Sequence, residues 1–149
     1  MSFLLQQVLL EPRRALDLSN VQLNQLLSQA RSSRLLASLA LQLQNAGIGR
    51  QLSLNVSRHL TSAILIHEKQ KRDLAYDIES IKLVLDSINE RLVLLKGAAY
   101  MLADLPAGNG RLITDIDVLV PGQRIDAVEK ALNECGWKSS YVNSYNERY

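Results

Sequence analysis

The chain has 149 residues, 47% hydrophobic and 21% charged, with a formal net charge of +2. That is enough apolar material to bury a real core, in one domain or two small ones, and it excludes a disordered polyelectrolyte. So small a net charge makes no case for nucleic acid or membrane as a partner, and the single cysteine, Cys135, excludes an internal disulfide and suits a reducing compartment.

Residues 1–10 are apolar but carry Gln6 and Gln7, with no basic n-region and no small-residue cleavage site, so they do not read as a signal peptide. No stretch reaches the uninterrupted apolar length of a membrane span, and the cytoplasm is the expected location. Ser19 and Gln22 form a candidate capping box for a helix running to about Ala30. A second helix is expected over 34–45, with Gly47 just past its end. Residues 1–58 carry Arg13, Arg14, Arg31, Arg34, Arg50 and Arg58 against Glu11 and Asp17. These arginines are read as a solvated helix face rather than a surface for RNA or a phosphorylated acceptor.

The longest pattern follows Gly49. Leu60, Ile64, His67, Lys71, Leu74, Ile78, Ile81, Leu85 and Ile88 recur at alternating spacings of four and three, the packing seam of one long helix near 52–89. His67 and Lys71 interrupt the seam and are read as the place where the helix emerges from its partner or snorkels a polar end. His59 lacks any ligand-spaced companion. No zinc cluster, Walker loop or serine nucleophile elbow is written into the chain.

Beyond residue 90 the pattern changes. Residues 92–95 are a short apolar run suited to a buried strand, and Gly97 opens a helix through Ala103. The free N–H groups of that helix start, beside the ammonium of Lys96, suit a phosphate oxygen. After Gly110-Arg111 comes Thr114-Asp115-Ile116-Asp117-Val118-Leu119-Val120, read as a second strand. Strand alternation sends Asp115 and Asp117 to one face and Ile116, Val118 and Val120 to the other. Two adjacent carboxylates repel, and a divalent cation is the simplest group that offsets the cost. An isolated Asp-x-Asp is commonplace in caps and turns; here it lies within strand sequence, downstream of a Lys-Gly element.

Pro121-Gly122 ends that strand, and Ile125, Val128, Leu132 and Cys135 mark one face of a helix closed by Gly136. Cys135 is accordingly expected as a small buried hydrophobe, and Asp126, Glu129 and Glu134 as surface charge. A further strand is expected over 137–142, with Trp137 and Tyr141 on one face, packing on the helix or stacking a base.

The sequence Leu92-Val93-Leu94-Leu95-Lys96-Gly97-Ala98, a short helix, Gly110-Arg111 and Thr114-Asp115-Ile116-Asp117-Val118-Leu119-Val120 resembles the uncharacterised bacterial nucleotidyltransferases of the DNA polymerase β superfamily. The resemblance implies an α+β fold: an N-terminal helical bundle over 1–89, then over 90–149 a partial polymerase β-like nucleotidyltransferase core with a small mixed sheet. It implies transfer of a nucleoside monophosphate from a nucleoside triphosphate to a hydroxyl acceptor, with Mg2+ or Mn2+ held by Asp115 and Asp117. By the same resemblance Lys96, Gly97 and Ala98 form the phosphate-facing turn, and Arg111 and Thr114 match the family's Gly-Arg and the hydroxyl residue before the first acid. Ala98 stands where the superfamily more often has Ser or Gly, so backbone donors replace a hydroxyl. A third carboxylate, expected on a later strand, has no match before Tyr149, Glu147 lying in a polar stretch without strand alternation. The residues are therefore expected to be the front part of a longer protein. Two other classes stay open: a non-catalytic nucleotide-binding module, and a helical protein-interaction module using the long seam. Within the enzyme class, a toxin-type nucleotidyltransferase acting on tRNA or protein is also open.

Overall fold

The computed structural model describes residues 4–138. Among them are six α-helices, α1 (Leu4–Leu10), α2 (Asn20–Ser32), α3 (Leu36–Asn45), α4 (Leu54–Ser87), α5 (Lys96–Leu102) and α6 (Ile125–Glu134), and two strands, β1 (Val93–Leu95) and β2 (Asp117–Leu119). Short 3-10 turns occupy Pro12–Asp17, Pro106–Gly108 and Gly122–Arg124. No helix among the described residues is long and apolar enough to cross a membrane.

Local chemistry explains the bundle. Ser19 caps α2 through a reciprocal box: its hydroxyl accepts from the Gln22 N–H, and the Gln22 side chain accepts from the Ser19 N–H at 2.9 Å. Past α3, Gly47 adopts φ +72 and the Ile48 N–H reaches back to the Leu43 carbonyl at 2.9 Å, closing the helix as its sequence predicts. The seam helix α4 runs for 34 residues, about 51 Å at 1.5 Å per residue.

Three apolar clusters are strung along α4. Its first turns give Val56, Leu60 and Ala63 to a core with α1, α2 and α3. Its middle gives Leu74 and Ile78 to a cluster with Ala98, Met101 and Ile113. Its end gives Ile81 and Leu85 to a cluster with Val128, flanked by Ile116, Val118, Val120 and Leu132. Arg124, just ahead of α6, bonds Glu90 and donates to the Ile88 carbonyl at 3.1 Å, capping the exit of α4.

The sheet is smaller than the sequence suggested. Rather than mixed, it is a two-stranded antiparallel ladder among the described residues, pairing Val93 with Leu119, Leu94 with Val118 and Leu95 with Asp117. Asp115 and Ile116 precede β2 instead of lying in it. Their would-be partners are missing because β1 ends at Leu95, where α5 begins. The expected parity survives nonetheless: Ile116, Val118 and Val120 pack toward α4 and α6. Trp137 and Lys138 are not in a strand, and the rest of the strand expected over 137–142, with Tyr141, lies outside the described residues, as does Glu147.

Two further expectations change. Cys135 is the exposed residue that caps the C-terminus of α6, one position past its last turn, instead of being a buried hydrophobe. His67 does not mark an emergence into solvent: it is 4% exposed and holds a loop described below. Lys71 does reach outward, pairing with Asp104 at 2.8 Å. That contact and the Asp104 charge hold the Lys71 ammonium above its ordinary pKa, and the reciprocal contact holds Asp104 below its own.

Candidate active site

A single residue turns β1 into α5. Lys96 takes φ +52, a left-handed conformation, and its Nζ donates to Asp117 Oδ1 at 2.9 Å across the sheet. This bond and the Asp117 charge raise the Lys96 pKa, with a smaller contribution from Asp115. Both carboxylates of the Asp-x-Asp element thus act on the one ammonium, which offsets the repulsion between them.

Gly97 follows because the chain crosses closely above it. A Cβ there would lie 2.6 Å from Ile113 Cδ1 and 3.7 Å from Arg111 Nε, so the Arg111 side chain lies across the Lys96-Gly97 turn. The crossing segment is held from beneath by the helical bundle. Ser38 Oγ of α3 donates to the Asn109 carbonyl at 3.1 Å, and the Gly110 N–H donates to His67 Nε2 of α4 at 3.3 Å. The Gln70 side-chain amide brackets Ile113, donating to its carbonyl and accepting from its N–H as a neighbouring strand would. Gly110, at φ +70, sits so close to α3 that a Cβ would fall 2.3 Å from the Ser38 nitrogen. The buried Nδ1 of His67 has no partner among the described residues.

Beyond this clamp, Thr114 Oγ1 donates to Asp115 Oδ1 at 3.3 Å. Lys96, Gly97, Arg111, Thr114, Asp115 and Asp117 all line one cavity of about 470 Å³. Ala98 does not: its side chain is fully buried with Leu74, Ile78 and Met101. The same cavity is lined by Arg34 of the turn between α2 and α3 and by Ser38 of α3. Nothing local in the sequence points to Arg34 and Ser38 as lining residues, nor to the support from His67 and Gln70, beyond the polar break that His67 makes in the seam. A larger cavity of about 670 Å³ lies behind the sheet between α4 and α6. Its lining is mostly Leu, Ile and Val, with Asp73, Asp77 and Asp115 but no Lys, Arg or His, so it is a poor container for phosphate.

The donor chemistry fits a hard divalent cation. Asp115 and Asp117 offer oxygen ligands at the edge of one cavity, and magnesium is commonly held by one or two carboxylates with substrate phosphates and water completing the shell. No group of three or more His, Cys, Asp or Glu side chains placed to hold a metal occurs among the described residues.

No curated protein and no solved structure matches the chain. A family model does, over residues 19–149, taking in most of the bundle together with the whole Lys96 to Asp117 region. By that match the chain belongs to the family of uncharacterised nucleotidyltransferases.

Proposed function

We propose that the protein transfers a nucleoside monophosphate from a nucleoside triphosphate to a hydroxyl acceptor by two-metal catalysis of the polymerase β type. The observation that carries this reading is the meeting of Lys96, Arg111, Asp115 and Asp117 in one cavity of a nucleotidyltransferase family member. Asp115 and Asp117 are the catalytic carboxylates and the ligands of Mg2+ or Mn2+. Bound there, the cation supplies charge neutralisation at the phosphates and a lower pKa for the acceptor hydroxyl.

The chain's own groups bind and orient. Arg111, laid across Gly97, presents a planar fork of donors suited to phosphate oxygens. Lys96 donates to Asp117 and sets a positive charge beside it. Thr114 fixes one oxygen of Asp115, leaving the other free. Gly97 and Ala98 contribute backbone to the phosphate-facing turn. Positioning and electrostatics of this kind supply most of the catalysis in phosphoryl chemistry, which demands little covalent participation from the protein. Residues 1–89 are read as the helical unit and 90–149 as the transferase core, with α4 serving as the floor of both.

One observation favours a second reading. Only two carboxylates pair at the site among the described residues, which suits a module that binds nucleotide without turning it over. A single experiment separates the two. The complete protein, with magnesium and each α-labelled nucleoside triphosphate in turn, is expected to release pyrophosphate and label an acceptor. Asp117→Asn is expected to abolish this while leaving the thermal midpoint close to that of the wild type, as the loss of an exposed ion pair does. Turnover retained in Asp117→Asn overturns the enzyme assignment, and nucleotide binding without turnover in the wild type selects the binding module.

A further inference from the structure

Four non-glycine residues among those described have a positive φ: Arg34 at 57, Asn89 at 55, Lys96 at 52 and Asp104 at 53. Asn and Asp enter the left-handed region comparatively easily, because their short polar side chains bond locally. Arg and Lys have no such excuse, yet both that adopt it line the same cavity.

The local structure at Arg34 makes the choice of residue informative. The Leu35 N–H bonds the Ala30 carbonyl at 2.7 Å and the Arg34 N–H bonds the Arg31 carbonyl at 3.0 Å, closing α2 in the manner of a helix stop whose left-handed residue is usually glycine. Glycine at this position would satisfy the turn without strain. Arg34 occupies it instead, and it lines the same cavity as Lys96 and Arg111. The three cations differ in commitment. Lys96 is paired with Asp117, whereas neither Arg34 nor Arg111 has a carboxylate partner among the described residues.

We propose that Arg34, contributed by the helical bundle, forms with Arg111 a phosphate-binding subsite of this cavity. The subsite takes a phosphate group through paired guanidinium forks, one from the α2–α3 turn and one from the segment ahead of β2. The group comes either from the polyphosphate of the nucleotide or from a phosphate on the acceptor. The inference deepens the nucleotidyl-transfer reading and rests on it for the identity of the ligand. It also changes the meaning of one of the six N-terminal arginines, which composition alone assigns to a solvated helix face.

The test is calorimetric titration of the full chain with inorganic tripolyphosphate in metal-free buffer, comparing wild type, Arg34→Gly and Arg34→Gln. Arg34→Gly relieves the left-handed strain, so its thermal midpoint should equal or exceed that of the wild type while its tripolyphosphate affinity falls roughly tenfold, the loss of one charge-assisted contact. Arg34→Gln keeps the strain and removes the charge, and must show a similar loss. If the source is the acceptor, tripolyphosphate binding is unchanged, and inorganic phosphate binding to the nucleotide-saturated wild type disappears in both variants. Unchanged binding of both probes overturns the proposal. So does a fall in affinity that tracks a fall in thermal midpoint for Arg34→Gly, which would make Arg34 a folding residue. The metal-free titration involves no turnover, so it reads the subsite whether or not Asp117→Asn retains transfer.

Discussion

Gly110→Ala is the sharpest perturbation of the clamp that carries Arg111 into the cavity. Two costs add. The residue sits at φ +70, where a Cβ costs about 1–2 kcal/mol. The new methyl would also lie 2.3 Å from the Ser38 nitrogen and 2.7 Å from the Ala37 carbonyl carbon. These are backbone atoms of a helix and have no rotamer through which to retreat. Relieving such an overlap costs about 1–3 kcal/mol more. With roughly 3.5 kcal/mol as a middle value, the thermal midpoint should fall by roughly 7–14 °C in a protein of this size. Two other glycines separate the terms. Gly47 shares the left-handed backbone, at φ +72, but faces open space, so Gly47→Ala should pay the first cost alone. Gly122 has neither constraint, and Gly122→Ala should stay within about 1 kcal/mol of the wild type. Urea titration of the three variants, followed by circular dichroism, ranks them directly. If Gly110→Ala costs no more than Gly47→Ala, the Gly110 loop is not pressed against α3 and the clamp is wrong.

The remaining predictions concern ionisation and exposure. The Lys71 contact holds Asp104 below its ordinary value of 3.8, so its contribution to stability is present above 3.8 and is lost as pH falls through the depressed folded-state value. Lys71 is held above 10.5, so the contribution persists up to 10.5 and is lost as pH rises through the elevated value. Asp104→Asn should therefore have a lower urea midpoint than the wild type at neutral pH. The two curves should merge at strongly acid pH, and a difference that persists there would refute the pairing. Cys135 should react with a colorimetric disulfide reagent in the folded protein nearly as fast as in urea. Reaction only after unfolding would show the thiol to be covered.

Much of the bundle was legible because its signals are local. The Ser19–Gln22 box, Gly47 and the four-three spacing of α4 need nothing beyond a few neighbouring residues to act. The extent of β2 was not legible, because a ladder ends where its partner ends, and β1 stops at Leu95 for reasons internal to the turn at Lys96. Cys135 continues the apolar stripe of α6 in sequence, but a stripe says nothing about how far the opposing surface extends. The site was legible in part. Strand parity correctly separated Ile116 and Val118 from Asp117, while Arg34, Ser38, His67 and Gln70 reach the site through tertiary placement alone, across separations of more than thirty residues in the case of His67 and Gly110. A histidine on an apolar stripe says that something polar is opposite, without saying what.

Because α4 touches the bundle at Ala63, the Gly110 loop at His67 and the Ile113 segment at Gln70, it works as an indexing rod as well as a packing surface. Each residue of a helix advances about 100° around its axis. Inserting or deleting a single residue between Ala63 and His67 would leave both ends of the rod helical and apolar. It would nonetheless turn the His67 and Gln70 contacts about a quarter-turn out of phase with the α3 wall that carries Ser38. The length of α4 between these contacts is thus a register, and the angular setting of the cavity is written in a residue count as much as in any side chain.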